Sequence, residues 1–283
     1  MINFRIQAIV DNCTRPAKEP LATEAGLSYW IEYGDQNLLF DTGHKKAIQK
    51  NLSSLNRNLI HIDRIILSQG HYDHTGGMTW VLKELDKAIP IYAKASVTDP
   101  VWSERITGMA YAGTDPEILV PIQKNLHAIE SVEEIMPGFF LVPRASQRYP
   151  QPESSKFLFE GEEGHLLPDS FRNECFVVVQ RAEGIVVLSG CSHQGIANIV
   201  DKAQTLFPNQ PVLSVIGGFH LQGRKPDFKE RPETIDVVAR FLQAQVEGPI
   251  HTGHCTSVPG FERLQNILGD QVDYFYAGDV LEF

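Results

Sequence analysis

The chain has 283 residues, 42% of them hydrophobic, and its 35 acidic against 25 basic residues give a net charge of −10. This composition is typical of a globular protein with one large domain or two small ones. Because Lys and Arg form no evident cluster, we expect neither a nucleic-acid nor a membrane partner. No run of about 18 apolar residues is present to span a membrane.

The amino-terminal part of the chain predicts a strand, a hairpin and then alternating helices and strands. Apolar residues at every second position predict a strand over residues 2–10, unlike the continuous apolar stretch of a signal peptide. Strands over 27–33 and 37–41 flank a Gly34-Asp35 turn, which is typical of a hairpin. The next predicted elements are a helix over 44–55, a strand over 62–67, a helix from Thr75 to about 85 and a strand over 89–93.

Residues 94–172 show few clear periods and many prolines and glycines, which predicts an irregular insert or lid. Regular alternation returns after this segment. It predicts strands over 175–180, 185–189, 212–216, 249–252 and 272–276, and helices over 192–206, 232–246 and 260–268. Hairpins followed by strand–helix alternation indicate one α/β domain over residues 1–283, with two sheets and helices outside them. The four cysteines lack C-x-x-C spacing, so we expect a reducing, cytoplasmic setting.

The segment S-Q-G-H-Y-D-H-T-G-G, residues 68–77, carries the clearest chemistry of the chain. His71, Asp73 and His74 crowd into four residues between a predicted strand and a predicted helix. Glycines on both sides of them let the backbone turn tightly. Imidazole and carboxylate ligands together suit zinc, iron or manganese, so the segment predicts a metal site.

This segment resembles the H-x-H-x-D-H signature of the metallo-β-lactamase superfamily. L-L-F-D-T-G, residues 38–43, resembles the strand-and-aspartate motif that precedes it in that superfamily. Three later segments resemble the subgroup of dihydropterin-ribofuranosyl-aminobenzene phosphate synthases: V-L-S-G-C-S-H (187–193), I-G-G-F-H-L (216–221) and T-G-H-C-T (252–256). The resemblance implies an αββα four-layer sandwich of the metallo-β-lactamase type, with the metal ligands at one edge of the two sheets.

Carried over residue by residue, the resemblance places His71 at the first metal position and Asp73 and His74 at the second. His254, just after a late strand, matches the superfamily's last histidine and completes the second position. Gln69 departs from the pattern, because the superfamily has its first histidine there. A Gln carbonyl oxygen is a weaker ligand than imidazole for these metals, so we expect one tightly held ion, zinc before iron or manganese, and a weaker second.

The middle ligands follow from the strands predicted over 175–180 and 185–189. These strands form a hairpin, so its outer ends lie side by side. Cys191 stands where the superfamily has an acid or cysteine ligand, and a small buried thiol is the alternative reading. No histidine comes just before the first strand of this hairpin. The missing imidazole is therefore assigned to His193, with Asp169 and Glu174 as alternatives.

Further roles are assigned to side chains beside the metal. His220 follows a strand and a Gly-Gly pair and is interpreted as a substrate contact, with a structural role as the alternative. Asp41, at a strand end, is expected to orient a ligand histidine. Asp73 is the expected catalytic residue, which would ligate the metal and position the attacking group. Helices from about Thr75 and Ser192 would direct positive N-termini toward an anionic group such as phosphate.

These assignments predict a metal-dependent hydrolase. A transition metal lowers the pKa of bound water to about 7, so a metal-bound hydroxide would attack a phosphorylated or ester-containing small molecule. Two alternatives stay open. One is a pterin-pathway synthase acting on a phosphorylated aminobenzene riboside, which the subgroup resemblance implies, and the other is a non-catalytic metal-binding protein with a site weakened at Gln69. The expected partner is the small-molecule substrate, and a homo-oligomer is left open.

Overall fold

The computed structural model describes residues 2–16, 21–85, 87–222 and 230–283. The chain forms two compact units. Unit 1 comprises Met1–Asp99, Ala112–Ala128 and Phe275–Phe283, and unit 2 comprises Pro100–Tyr111 and Ile129–Tyr274. No helix within the described ranges is both long enough and apolar enough for a membrane span.

Eighteen strands and seven α-helices are present in the described part of the chain. The strands are β1 Phe4–Val10, β2 Ser28–Tyr33, β3 Gln36–Phe40, β4 Arg64–Ile66, β5 Ile91–Ala93, β6 Val101–Arg105, β7 Gly108–Tyr111, β8 Leu126–Ala128, β9 Glu133–Met136, β10 Phe139–Val142, β11 Leu158–Glu160, β12 Leu167–Pro168, β13 Phe176–Gln180, β14 Ile185–Leu188, β15 Val212–Gly217, β16 Ile250–Thr252, β17 Val272–Tyr274 and β18 Val280–Glu282. The helices are α1 Ala47–Ser54, α2 Tyr72–Thr75, α3 Met78–Leu85, α4 Leu119–Asn125, α5 Ile196–Leu206, α6 Pro232–Gln245 and α7 Val258–Leu268.

Unit 1 contains a seven-stranded sheet in the order β18-β1-β2-β3-β4-β5-β8. The predicted hairpin is present as β2 and β3, which pair antiparallel, whereas β3, β4, β5 and β8 are parallel neighbours. Helices α1 and α3 pack apolar residues such as Ile48 and Val81 against Leu39 and Ile65 of the sheet. Because the carboxyl ends of parallel strands meet at one edge, the residues after β3 and β4 become neighbours.

Unit 2 contains a second seven-stranded sheet in the order β17-β16-β15-β14-β13-β10-β9. Strands β14 to β17 are parallel, and the other neighbouring pairs are antiparallel. Helices α5, α6 and α7 bury Val200, Leu242 and Leu264 in one core with Val187 and Val215 of the sheet. The loops after β14, β15 and β16 therefore share one edge of this sheet.

The prediction that residues 94–172 are irregular is wrong. They form β6 to β12 and α4, and β12-β11-β6-β7 make a separate four-stranded antiparallel sheet in unit 2. These strands have two to five residues each, too few to display a clear alternating pattern in the sequence. Their pairing over long sequence distances, as between Phe159 and Trp102, is what makes them strands.

Two predicted helix starts also differ from the structure. The helix expected from Thr75 is two helices, α2 and α3, separated by Gly76 and Gly77. A Cβ atom on Gly76 would lie 2.0 Å from the His44 carbonyl oxygen, so the chain passes its neighbour too closely for any side chain. The helix expected from Ser192 begins at Ile196 instead, because Ser192 and Gly195 have φ of 60° and 92°, outside the helical range.

Candidate metal centre

In unit 1 the H-Y-D-H segment, residues 71–74, follows β4 and overlaps the short helix α2. Asp73 and His74 lie within α2, and His71 caps its amino-terminal end. All three are nearly inaccessible to solvent, with His74 fully buried. Gly70 is required here, because a Cβ atom would lie 2.3 Å from the carbonyl oxygen of Val97.

Asp41 holds His74 through a buried hydrogen bond. The Asp41 carboxylate lies 2.6 Å from His74 Nδ1, and it also accepts bonds from Ser68 N at 2.7 Å and Ser68 Oγ at 2.6 Å. Because the carboxylate is the acceptor, the imidazole proton sits on Nδ1 and the lone pair of Nε2 is available to a metal. The orienting interaction predicted for Asp41 is therefore present in the structure.

The residue after Asp41 fixes the backbone of the same helix. Thr42 donates from its N–H and from its hydroxyl to the carbonyl oxygen of His74, at 2.7 Å and 2.9 Å. A second clamp comes from Leu27 N, which donates to the carbonyl oxygen of Asp73. The motif of residues 38–43 thus positions His74 through two side chains, those of Asp41 and Thr42, and one backbone N–H.

Gln69 is fully buried, and neither its Oε1 nor its Nε2 has a hydrogen-bond partner among the described residues. A buried amide without partners costs about 1–3 kcal/mol of folding free energy. Such a group in a native protein calls for a ligand, an ion or a water molecule that satisfies it. Gln69 is therefore suited to contact a bound species, and its position two residues before His71 is that of a metal ligand in the sequence pattern.

In unit 2 three loops at the ends of parallel strands carry the remaining candidates. Cys191 and His193 follow β14, His220 follows β15, and His254 follows β16. A chain of hydrogen bonds joins two of these loops, from Phe219 N to Thr256 Oγ1, on to Thr252 Oγ1 and finally to the Gly217 carbonyl oxygen. The topology thus gathers side chains that are far apart in the sequence.

Glu174 holds His193 in unit 2. Its Oε1 accepts a bond from His193 N at 2.8 Å and lies 3.1 Å from His193 Nδ1, while its Oε2 accepts from Gln194 N at 3.0 Å. The carboxylate is almost fully buried. Glu174, considered as an alternative ligand, therefore occupies the orienting position, which favours His193 as the ligand. Asp169, the other alternative, accepts a bond from the N–H of Phe171.

The same contacts change the expectation about phosphate binding. A helix that began at Ser192 would offer the N–H groups of His193 and Gln194 to an anion, but both donate to Glu174. The helix α2 has only four residues, so its dipole is small. The predicted attraction of a phosphate by these two helix ends is therefore not supported by the structure.

Cys191 is the shared member of a group of candidate ligands in unit 2, called the unit 2 cluster, which also contains His220, His254 and Cys255. Its Sγ is within 4.8 Å of a ring nitrogen of His254, and likewise of a ring nitrogen of His220 and of Cys255 Sγ. The His220 and His193 rings meet edge to face with centroids 4.3 Å apart, and Phe171 stacks on the other side of His193. The sequence pattern predicts no role for Cys255. Its position next to His254 in the T-G-H-C-T segment is the one local feature that points to the site.

Several of these residues have a left-handed backbone conformation. Asp41, Ser192, His220 and His254 have φ between 49° and 60° although none is glycine. Such conformations cost of order 1–3 kcal/mol each and persist where surrounding contacts impose them, which is common at functional sites. Their concentration in the loops that carry the candidate ligands supports a functional origin.

The family model of the metallo-β-lactamase superfamily matches residues 22–208. The chain therefore belongs to the metallo-β-lactamase superfamily, and the predicted fold class, α/β of the metallo-β-lactamase type, is confirmed.

Two relatives match nearly the whole chain. A 7,8-dihydropterin-6-methyl-4-(β-D-ribofuranosyl)-aminobenzene-5′-phosphate synthase from Methanocaldococcus jannaschii is 28% identical, over 93% of this chain and 92% of that protein. A crystal structure described as a metal-dependent hydrolase of the β-lactamase superfamily is 26% identical, with a TM-score of 0.80 over 99% of both chains. Zinc-bound PqqB from Methylobacterium extorquens, 11% identical with a TM-score of 0.59 over 99% of this chain and 100% of that chain, shares the fold alone.

Proposed function

We propose that this protein is a metal-dependent enzyme with six metal ligands, five of them indicated by the superfamily pattern and the sixth, His193, assigned to the imidazole that the pattern lacks here. These are His71, Asp73, His74, Cys191, His193 and His254. The observation that carries the proposal is the buried pair of Asp41 and His74, since a carboxylate on Nδ1 is the usual partner of a metal-binding imidazole. Glu174 has the same relation to His193 in unit 2.

The donor set fits a zinc ion better than a hard cation. It consists of imidazoles, one carboxylate and one thiol, whereas magnesium and calcium take oxygen ligands. Iron and manganese remain alternatives for the imidazole and carboxylate part of the set. The buried Gln69 amide, which has no partner among the described residues, provides an oxygen for a weaker second ion or for substrate. A metal held by these ligands would polarise the bond under attack and activate water.

The side chains of the protein divide the remaining work. Asp41 and Glu174 keep the protons of their histidines on Nδ1 and so leave Nε2 for the metal. Asp73 would accept a proton from the attacking water or hydroxyl group and hold it in line with the substrate. His220, which is 9% exposed, is the proposed substrate contact.

The reaction we favour is hydrolysis of a small phosphorylated or ester-containing molecule. Support comes from the similar crystal structure that is described as a metal-dependent hydrolase. The proposal that the substrate carries a phosphate group is supported by the resemblance to the synthase, whose product is a phosphate ester by name. A cytoplasmic location fits the four cysteines, all of which are free thiols.

The second candidate is a bond-forming reaction of pterin metabolism. It is favoured by the 28% identity to the Methanocaldococcus jannaschii synthase over 93% of this chain. This candidate uses the same metal ligands but joins two molecules instead of adding water to one. A small-molecule substrate is the partner in both cases.

One experiment tests the enzyme class and separates the two reactions. The full chain would be assayed with phosphodiesters, lactones, and a dihydropterin together with a ribofuranosyl-aminobenzene phosphate, in water enriched in ¹⁸O. A hydrolase yields products that carry the label, whereas a synthase yields a joined product of the summed mass less any leaving group. Metal content is measured on the same sample by plasma emission spectrometry.

His74→Ala and His61→Ala form a matched pair for this assay. His74 is fully buried against Asp41, whereas His61 is exposed in a short 3-10 helix outside the site. We expect His74→Ala to lose metal and turnover and His61→Ala to keep both. Wild-type protein without bound metal, or full turnover in His74→Ala, would refute the proposed function.

A further inference from the structure

The loops after β14, β15 and β16 bring a second set of soft ligands together inside unit 2. Cys191 Sγ, Cys255 Sγ and a ring nitrogen of His220 all lie within 4.8 Å of one another. Atoms bound to one tetrahedral zinc ion at 2.0 to 2.3 Å are separated by roughly 3.5 Å, so small side-chain adjustments suffice to close the site. Of the three residues, only Cys191 belongs to the six proposed ligands.

The structure holds the Cys255 thiol at this spot by specific contacts. The N–H of His220 donates to Cys255 Sγ at 3.3 Å, and the Cys255 thiol lies 3.5 Å from the carbonyl oxygen of Cys191. Gly218 leaves room for the sulfur, because a Cβ atom there would lie 2.5 Å from Cys255 Sγ. The Gly218 N–H donates to the Gly190 carbonyl oxygen at 2.7 Å, which ties the two loops directly.

We infer that Cys191, His220 and Cys255 form a thiolate-rich metal-binding site for a soft divalent cation such as Zn²⁺. Two thiolates and one imidazole are a ligand set that selects zinc over magnesium or calcium, and three protein ligands leave a fourth position open. Cys255 is half-buried, whereas the ring nitrogens of His220 are inaccessible to solvent. Binding releases the two thiol protons, because the thiolate is the ligand.

This site extends the proposed metal centre, with which it shares Cys191, but it does not depend on the reaction proposed above. Its distinguishing residue is Cys255. Cys13 is the natural control, because it is also a free, half-buried cysteine and lies in unit 1, far along the chain from the cluster.

The test is alkylation of the full wild-type chain by iodoacetamide under reducing conditions, with and without added Zn²⁺. A thiolate bound to zinc is a poor nucleophile, so we expect zinc to slow modification of Cys255 by about tenfold or more. Modification of Cys13 should be unchanged. Mass spectrometry of peptides gives the rate at each cysteine, and no variant is needed for this measurement.

Cobalt binding supplies a second readout. Co²⁺ in the wild type should show a sulfur-to-metal charge-transfer band that falls by about half in Cys255→Ser, because one of two thiolates is removed. Cys13→Ser should leave the band unchanged. Equal alkylation of Cys255 with and without zinc, or an unchanged band in Cys255→Ser, would overturn the inference.

His74→Ala separates this site from the proposed metal centre. We expect zinc to protect Cys255 in this variant as it does in the wild type, even though turnover is lost. Loss of that protection would show that no separate thiolate site exists. Turnover that survives in His74→Ala together with protection of Cys255 would refute the proposed function and leave the thiolate site supported.

Discussion

Units 1 and 2 each contain a buried histidine held by a buried carboxylate, but they build the pair differently. In unit 1, Asp41 accepts three hydrogen bonds of 2.6 to 2.7 Å, two of them from Ser68 and one from His74. In unit 2, the three contacts of Glu174 are longer, at 2.8 to 3.1 Å. Short hydrogen bonds to a carboxylate are the stronger ones, so the unit 1 pair is the more tightly held.

The origin of the ligands differs in the same way. His71, Asp73 and His74 come from one segment, and the nearby strand end of Asp41 orients His74. Their counterparts in unit 2, Cys191, His193 and His254, come from two loops that the parallel order of β14, β15 and β16 brings together. A compact motif is positioned by few contacts, whereas a dispersed set of residues depends on the packing of a whole sheet edge.

The largest effect should follow from Asp41→Asn. The asparagine side chain would turn its NH₂ group toward at least one of the three groups that donate hydrogen bonds to Asp41 in the wild type. The site is fully buried, so water cannot compensate for the lost bond. We expect about 3 kcal/mol loss of unfolding free energy and loss of tightly bound metal. Urea unfolding and plasma emission spectrometry measure the two effects. Asp35→Asn, in the exposed hairpin turn, should change neither.

Glu174→Gln should weaken the protein less, by about 1–3 kcal/mol, because the replaced contacts are longer. Metal content should fall only in part, since His193 keeps its ring between Phe171 and His220. The same two measurements apply. A loss equal to or larger than that of Asp41→Asn would contradict the ranking of the two units.

Gln69 allows a variant that gains stability. Gln69→Leu removes two buried polar atoms that have no partner in the described chain, so we expect about 1 kcal/mol of stabilisation in the metal-free protein. Gln69→His should instead raise metal content above the wild-type value after identical dialysis, because imidazole is the better ligand. Two tightly bound ions in the wild type would contradict the expectation that Gln69 weakens the first metal position.

A smaller effect concerns the ion pair of Glu32 with Arg57 and Arg5. Burial raises the pKa of Glu32, but hydrogen bonds from Arg57 and Arg5 and their charges lower it further, so the net pKa lies below its ordinary value. The ion pair therefore stabilises unit 1 above the ordinary pKa of Glu, and this contribution is lost as the pH falls through the lowered one. Glu32→Gln should cost up to about 1 kcal/mol at pH 7.

Unit 2 provides the control for this pH effect. Asp236 pairs with Arg263, and hydrogen bonding to that guanidinium lowers the pKa of the carboxyl group, but the pair lies at the surface. Asp236→Asn should therefore have a smaller effect, which added salt should reduce further. Unfolding curves of both variants from pH 7 to pH 3 measure the difference. A constant deficit of Glu32→Gln across this range would argue against the ion pair.

Much of the molecule was predictable because its elements depend on residues that are close together in the sequence. The hairpin of β2 and β3, the helices α1, α6 and α7, and the H-Y-D-H segment all depend on patterns within about fifteen residues. The role of Asp41 was predictable as well, since the motif after β3 resembles a known one. Glu174 was not, because nothing near it in the sequence reveals that its carboxylate meets the N–H groups of His193 and Gln194.

The sequence by itself determined the superfamily and the fold class and predicted a set of metal ligands, because periodicity and a contiguous ligand motif survive without tertiary contacts. Only the tertiary structure decided which carboxylate orients which histidine, that residues 94–172 contain seven strands, and that Cys255 lies beside Cys191. The contact of Glu174 with His193 joins residues 19 positions apart, and that of Cys255 with Cys191 joins residues 64 positions apart. Such pairings are set by the order of strands in the sheets, which no local pattern encodes.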